Sequence, residues 1–348
     1  MLLLYTLLLL FGFVALIKGA GWFVDGSSAL ARNFKVPGLI IGLTIVALGT
    51  SSPELAVSIS AAIQGSNEIA LSNVVGSNIF NLLCVLGICA IIHAVPTDNN
   101  ILKRDFPLSI GATILVLLVT CLGSLSSGNY PQMEQIPYSA SSYHRIQDSL
   151  LHGNMNETVG MVSRMAGIVM FTIFLMYILY LIYDARKNPD SSEPQKCLPL
   201  WKCFLLITVG LVLIIGGGQA VVYSAKAIAQ TVGMSETLIG LTIVAVGTSL
   251  PELVTSVVAA KKGETGLAVG NAVGSNIFNL LLILGLSAAI HPITVNAASV
   301  YDMLILIAAS IITYVFLLTR KSLKRSEGII MVLLYLAEVL FAILRTFA

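Results

Sequence analysis

The chain has 348 residues, of which 57% are hydrophobic and only 10% charged. A soluble protein carries about 25% charged residues, so a water-soluble globule is excluded. The formal charge of +2 and the scattered aromatic residues offer no basic-aromatic surface for nucleic acid.

From the N-terminus onward, apolar runs of about 20 residues follow one another, each long enough to cross ~30 Å of hydrocarbon as a helix. Bounded by charges and turn residues, they predict ten spans: 2–22, 37–63, 68–92, 104–123, 163–184, 203–224, 236–260, 265–290, 299–319 and 327–346. The first, MLLLYTLLLLFGFVALIKGA, lacks the basic flank and clear cleavage site of a secretory leader, and is read as a retained span. A polar stretch rich in Ser, Asn and Gln, 124–162, follows the fourth; at about 39 residues it is long for a compact protein. It contains the glycosylation-type triplet Asn156-Glu157-Thr158, a pattern that often arises by chance. Residues 185–202, with NPDSSEP, form a linker between two halves. Cys84, Cys89 and Cys121 lie in apolar runs, while Cys197 and Cys203 flank a helix start. No CxxC or Cys/His pattern is present, so neither a disulfide framework nor structural zinc is expected.

Orientation follows from Lys and Arg. With the N-terminus outside, 15 of the 19 fall in inner loops, among them Lys18, Arg32, Lys35, Arg186 and Lys262, and 4 fall outside. That bias predicts both termini outside.

The halves repeat each other. GLTIVALGTSSPEL at 42–55 returns as GLTIVAVGTSLPEL at 240–253, and VGSNIFNLL at 75–83 returns at 273–281. One offset, 198 residues, aligns Ile41–His93 with 239–291 at 33 of 53 identities. Five spans per half is an odd number, so the second copy enters from the opposite side. The predicted architecture is an all-α membrane protein of ten helices in two inverted five-helix repeats, discontinuous in helices 2 and 7. The first repeat is 1–184, with its motif at 36–93 and its outer loop at 124–162. The linker 185–202 lies inside, and the second repeat is 203–348, with its motif at 234–291.

Each copy carries one acid within hydrocarbon, Glu54 or Glu252. Pro53 and Pro251 precede them, each removing a backbone donor and clashing with the carbonyl four residues back, at Gly49 and Gly247. A helix broken in a membrane has its freed carbonyls satisfied by protein, water or an ion. Thr50, Ser51, Thr248 and Ser249 add hydroxyls, and backbone carbonyls near Thr50 and Thr248 add further oxygens. The donor set is all oxygen, which suits a hard cation such as Ca²⁺ or Na⁺. Two carboxylates balance one Ca²⁺ or two Na⁺. Empty, they repel each other, so an unloaded carrier resists crossing and exchange is favoured over leak. On the neighbouring helices, Ser77, Asn78 and Asn81 match Ser275, Asn276 and Asn279; positions 77 and 81 share a helix face, as do 275 and 279. Gly76 and Gly274 are expected to permit close helix packing.

These two segments resemble the alpha repeats of the sodium/calcium exchanger family, within the calcium/cation antiporter superfamily. The resemblance rests on GTSxPE twice and on GNAVGSN at 270–276, from which the first copy departs with SNVVGSN at 72–78. It implies eight core helices, with long first and sixth helices sliding across them. It also implies electrogenic exchange of roughly three Na⁺ for one Ca²⁺, coupled to membrane potential. By position it implies that Glu54 and Glu252, aided by the Thr50 and Thr248 carbonyls, hold Ca²⁺. The Ala47 and Ala245 carbonyls with Ser51, Ser249, Ser77 and Ser275 then hold Na⁺, and Asn81 and Asn279 form the central pair. Relatives that co-transport K⁺ have Asp where this chain has Asn279, and proton-coupled relatives show GNxxE at the motif. The expected partners are therefore Ca²⁺ and Na⁺, with H⁺ in the alternative, and the lipid bilayer of an inner cell membrane. The sequence sets no oligomeric state, a monomer being compatible with it, and no bound cofactor is expected.

Simpler roles compete. A single intramembrane acid pairs with a polar neighbour in roughly one case in three, but two acids in duplicated motifs do so below about one in ten. The GSN residues glue helices together in roughly one case in three, Asn78 and Asn276 more readily than Asn81 and Asn279. His93 and His291 sit at helix ends, Glu338 is read as a packing or lipid-edge residue, and Asp25 and Asp302 are read as solvated. A Ca²⁺/H⁺ antiporter and a cation channel are the alternatives; no GxSxG or HExxH supports an enzyme.

Overall fold

The computed structural model describes residues 2–64, 67–96, 99–126, 158–188, 198–231 and 245–347. Helix α1 is Leu2–Phe34 and α2 is the bent pair Gly38–Thr50 and Ser52–Gln64. Helices α3, α4 and α5 are 67–92, 101–126 and Arg164–Lys187, and α6 is Leu200–Thr231. The described part of α7 is Ala245–Gly247 and Leu250–Lys261; α8 is Thr265–Ile290, α9 is Ala297–Arg320 and α10 is Arg325–Phe347. Among the described residues, seven helices are long and apolar enough to cross a membrane, and bent α2 makes an eighth. Most of the 124–162 loop, part of the triplet at 156–158, most of the 185–202 linker and the first part of the seventh predicted span lie outside the described residues.

The helices start where the sequence supplies acceptors. Ser163 accepts from Ala166 N at the start of α5 (3.3 Å), and Asn296 from Ser299 N at the start of α9 (2.9 Å). Two helices outrun their predicted spans. α1 has 33 residues and α6 has 32, about 50 Å at 1.5 Å per residue, so each must tilt or project beyond ~30 Å of hydrocarbon. Lys18, counted above in an inner loop, lies within α1 instead, as does Asp25. The polar run VDGSSALARN ends an apolar window but not the helix, because α6 covers its small residues.

That cover is a glycine seam. Gly12 meets Gly217, Gly19 meets Gly210, and Gly26 meets Cys203, so the helices run antiparallel. A Cβ at Gly19 would stand 2.8 Å from the Gly210 carbonyl oxygen, and one at Gly210 would stand 2.8 Å from that of Gly19. Seven-residue spacing keeps the small residues on one facing stripe, and only without side chains do the backbones come this close.

Burial orders the helices from outside to centre. The apolar windows of α3 and α8 are 78% and 83% buried, against 22% for α1 and 17% for α10. α3 and α8, which carry the GSNIFN copies, therefore form the heart of the bundle. Their outer contacts mirror each other: Gly87 of α3 faces Gly328 of α10, and Gly285 of α8 faces Gly167 of α5. Four short strands repeat the exchange. β1 (Val95–Pro96), after α3, pairs with β4 (Ser322–Leu323), before α10; β2 (Thr158–Val162), before α5, pairs with β3 (Ile293–Asn296), after α8.

Two ion pairs join α1 to the α7–α8 turn: Lys262 Nζ meets Asp25 Oδ1 at 2.6 Å, and Arg32 meets Glu264 Oε1 at 2.7 Å. Asp25, expected to be solvated, is half-exposed and paired. A third cluster ties α4 to α5: Arg104 bonds Asp105 (2.7 Å) and Asp184 (2.6 Å), and the Tyr177 hydroxyl donates to Asp105 (3.0 Å).

Candidate ion-binding site

The break in α2 falls at Ser51, whose φ of −80° and ψ of 7° leave the helical region and open a 51° bend. Ser249 repeats it with φ −93° and ψ 6°. The chain resumes identically beyond each: Leu55 N bonds Ser51 O at 3.0 Å, and Leu253 N bonds Ser249 O at 3.1 Å. Proline explains the placement. It fits the first turn of a helix, where its missing N–H has no acceptor to satisfy, so the second segment starts just before Pro53 or Pro251. Glu54 and Glu252 consequently sit in a first helical turn, where the positive end of the backbone dipole favours a carboxylate.

Both carboxylates are fully buried, and each is held by the other repeat. Ser51 Oγ donates to Glu252 Oε1 at 2.9 Å, and Ser249 Oγ to Glu54 Oε1 at 3.1 Å. Ser249 also lies 3.1 Å from Ser77 Oγ. These reciprocal bonds bring both GTSxPE breaks to one locus. The second oxygen of each glutamate, Oε2, is buried with no protein partner. So are Thr248 Oγ1, Ser275 Oγ, Asn279 Oδ1 and both polar atoms of Asn81. Seven of the fourteen unpaired buried side-chain atoms among the described residues lie on predicted ligands. Unpaired buried oxygens are costly in a low-dielectric interior, and those on Glu54, Glu252, Thr248, Ser275, Asn81 and Asn279 fit a site completed by cations. Among the described residues no group of three or more His, Cys, Asp or Glu is present, so any such site rests on two carboxylates and neutral oxygens.

Asn81 and Asn279 lie in matching π-helical turns, Phe80–Val85 and Phe278–Ile283. Such turns recur at functional sites because they displace one residue from the regular ladder. Asn78 and Asn276 play the gluing part: each donates its amide to the other's backbone carbonyl, at 3.2 and 3.3 Å. Asn279 Nδ2 donates to Asn78 Oδ1 at 3.0 Å, leaving its own oxygen free. The Thr50 hydroxyl lies 2.9 Å from Asn271 Oδ1, which leaves its backbone oxygen as the candidate ligand. Ala47 O accepts from Ser51 N at 2.9 Å and lies 3.4 Å from the Thr50 hydroxyl. Ala245 is the first described residue of α7.

Sequence reasoning missed a supporting layer. Asn271 Nδ2 bonds Ser256 Oγ (2.9 Å) and the Glu252 carbonyl (3.3 Å), and Asn73 Nδ2 bonds Ser58 Oγ (3.3 Å). The signal was present, since Ser58/Ser256 and Asn73/Asn271 are identical at offset 198. Gly274 packs on α2, with its would-be Cβ 2.8 Å from Leu43 Cα, as expected. No described atom lies within 4 Å of that point on Gly76. Its equivalent partners, 240–244, lie outside the described residues.

The family model described as sodium/calcium exchanger protein matches residues 4–183 and 202–344. The chain belongs to the sodium/calcium exchanger family. Within that family it is 36% identical over 342 residues to CaxA of Alkalimonas amylolytica, covering 95% of this chain and 96% of that protein. It is 33% identical over 350 residues to the sodium/calcium exchanger MaX1 of Methanosarcina acetivorans, covering 95% and 96%. The fold is similar to that of the sodium-calcium exchanger NCX_Mj, solved after soaking with zero Na⁺ and Ca²⁺: the TM-score is 0.77 at 27% identity, covering 98% of this chain and 100% of that one. As a member of this exchanger family, the chain is a multi-pass membrane transport protein.

Proposed function

We propose that the chain exchanges Na⁺ for Ca²⁺ across an inner cell membrane by alternating access, and that the exchange is electrogenic. The observation that carries this reading is the reciprocal bonding of Ser51 to Glu252 and Ser249 to Glu54, which leaves one free oxygen on each buried carboxylate. Glu54 and Glu252, with the Thr50 and Thr248 carbonyls, take Ca²⁺. Ser51, Ser249, Ser77, Ser275 and the Ala47 and Ala245 carbonyls take Na⁺, and Asn81 and Asn279 line the centre. Ca²⁺ needs about 6–8 oxygens, of which two bidentate carboxylates supply four. Two negative charges are neutralised by one Ca²⁺ or two Na⁺, so a third Na⁺ carries net charge across the membrane. The ions are cargo, and no resident cofactor is involved.

The scaffold is proposed to be ten helices in two inverted repeats, 1–184 and 203–348, with both termini outside. The antiparallel seam of α1 and α6, equivalents at offset 198, supports inversion, as do the exchanged pairings of α3 with α10 and α8 with α5. A site shared by opposed repeats opens to either side at similar cost.

The test is ⁴⁵Ca²⁺ uptake into proteoliposomes against imposed Na⁺ and pH gradients, with the membrane potential clamped. Uptake driven by outward Na⁺ and accelerated by a potential that favours net charge movement is expected. Uptake that follows the pH gradient and ignores Na⁺ means Ca²⁺/H⁺ exchange instead. Glu54→Gln or Glu252→Gln should abolish uptake in correctly inserted protein; wild-type rates in either would displace the site.

A further inference from the structure

We propose that the Lys/Arg-rich end of the molecule holds a structural site for one anionic phospholipid, with an acyl chain between α1, α2 and α5 and its phosphate between Lys35 and Arg186. A cavity of about 560 Å³ opens there. Its wall is apolar, with Ile41 and Ile45 from α2 and Ile178 and Ile182 from α5, and Lys35 and Arg186 line it too. Ile45 and Ile182 are exposed, so the cavity communicates with the lipid-facing surface. A groove that is greasy along its length and cationic at its end matches the two chemistries of a charged lipid, and basic pockets between membrane helices are a recurrent form of headgroup recognition.

The cations are available. Neither Lys35 nor Arg186 forms an ion pair among the described residues. Asp184, two residues from Arg186 on α5, is already held by Arg104. Backbone geometry sets Lys35 in place. It closes α1 with φ of 54°, and the turn is locked by Val36 N to Ala31 O (2.9 Å) and Lys35 N to Arg32 O (3.1 Å). Glycine usually fills this left-handed position because a side chain there is strained. Here a lysine occupies it, at the edge of a cavity with an anion's complement. The site adjoins the π-helical turn Gly42–Val46, four residues before Thr50 on the same half-helix. A bound lipid would therefore brace the segment leading into the break of α2.

Native mass spectrometry of the full-length purified protein, titrated with phosphatidylglycerol or phosphatidylcholine, tests the site. Wild-type protein should retain phosphatidylglycerol in preference, and inorganic phosphate at matched ionic strength should not displace it. Lys35→Gln with Arg186→Gln should weaken retention on the order of 30-fold, from two surface-level cation–headgroup attractions. Ile182→Trp, which fills the groove from the lipid-facing side, should reduce retention with both charges intact. Equal retention of both lipids, full displacement by phosphate, or unchanged binding in either variant would overturn the proposal.

Discussion

Replacing Gly210 with alanine tests whether α1 and α6 are held by a backbone seam. The added Cβ would stand 2.6 Å from Phe23 N, 2.8 Å from Gly19 O and 2.9 Å from Phe23 Cα. All three are backbone atoms, so no rotamer change relieves the clash. Ordinary contact begins near 3.4 Å, so the helices must part locally by 3.4 − 2.6, or about 0.8 Å. Overpacking of this kind costs about 1–3 kcal/mol. The same helix supplies the control: no described atom lies within 4 Å of a Cβ at Gly216. There alanine adds only helix propensity, which favours the fold by up to about 1 kcal/mol. In detergent-purified protein, Gly210→Ala should lower the apparent thermal midpoint by about 2–6 °C. Gly216→Ala should leave it unchanged or raise it. Equal midpoints for the two variants would refute the seam as a close backbone contact.

Two further outcomes concern the ions. Protons compete with cations for the oxygens of Glu54 and Glu252, so Ca²⁺ flux should fall as pH drops from about 8 to 5, and higher Ca²⁺ should restore it; a flat profile contradicts a shared carboxylate site. Asn279→Asp adds a third acid to the proposed centre and removes the amide that donates to Asn78 Oδ1. It should change the Na⁺ dependence or the pH profile of flux, and a variant matching wild type in both places Asn279 away from the ions.

Much of the site was legible in the sequence because duplication and polarity in hydrocarbon are both local signals. Glu54 and Glu252 stand out as acids in apolar runs, and Pro53 and Pro251 mark the breaks to within two residues. The serine-to-glutamate exchange between repeats was not legible, because which hydroxyl faces which carboxylate depends on how the halves dock. Nor were the strands, since Val95 pairs with Leu323 and Val162 with Ile293, partners far apart in sequence. The resemblance implied a long first helix, but the span 2–22 stopped short of Phe34 because a hydropathy window registers Asp25 and Arg32 but not their partners Lys262 and Glu264.

The two ion pairs on α1 have no charged equivalents in the other half. Shifted by 198, Asp25 becomes Tyr223, Arg32 becomes Gln230, Lys262 becomes Gln64 and Glu264 becomes Ser66. A duplicated scaffold alone would leave the two ends of the molecule equally ready to part. These pairs are partly exposed, so each contributes roughly 0.2–1 kcal/mol. Together they weight the resting population several-fold toward the arrangement in which α1 is fastened at the Lys/Arg-rich end. Because exposed pairs weaken as salt rises, that preference depends on the ionic strength of the fluid bathing that end alone.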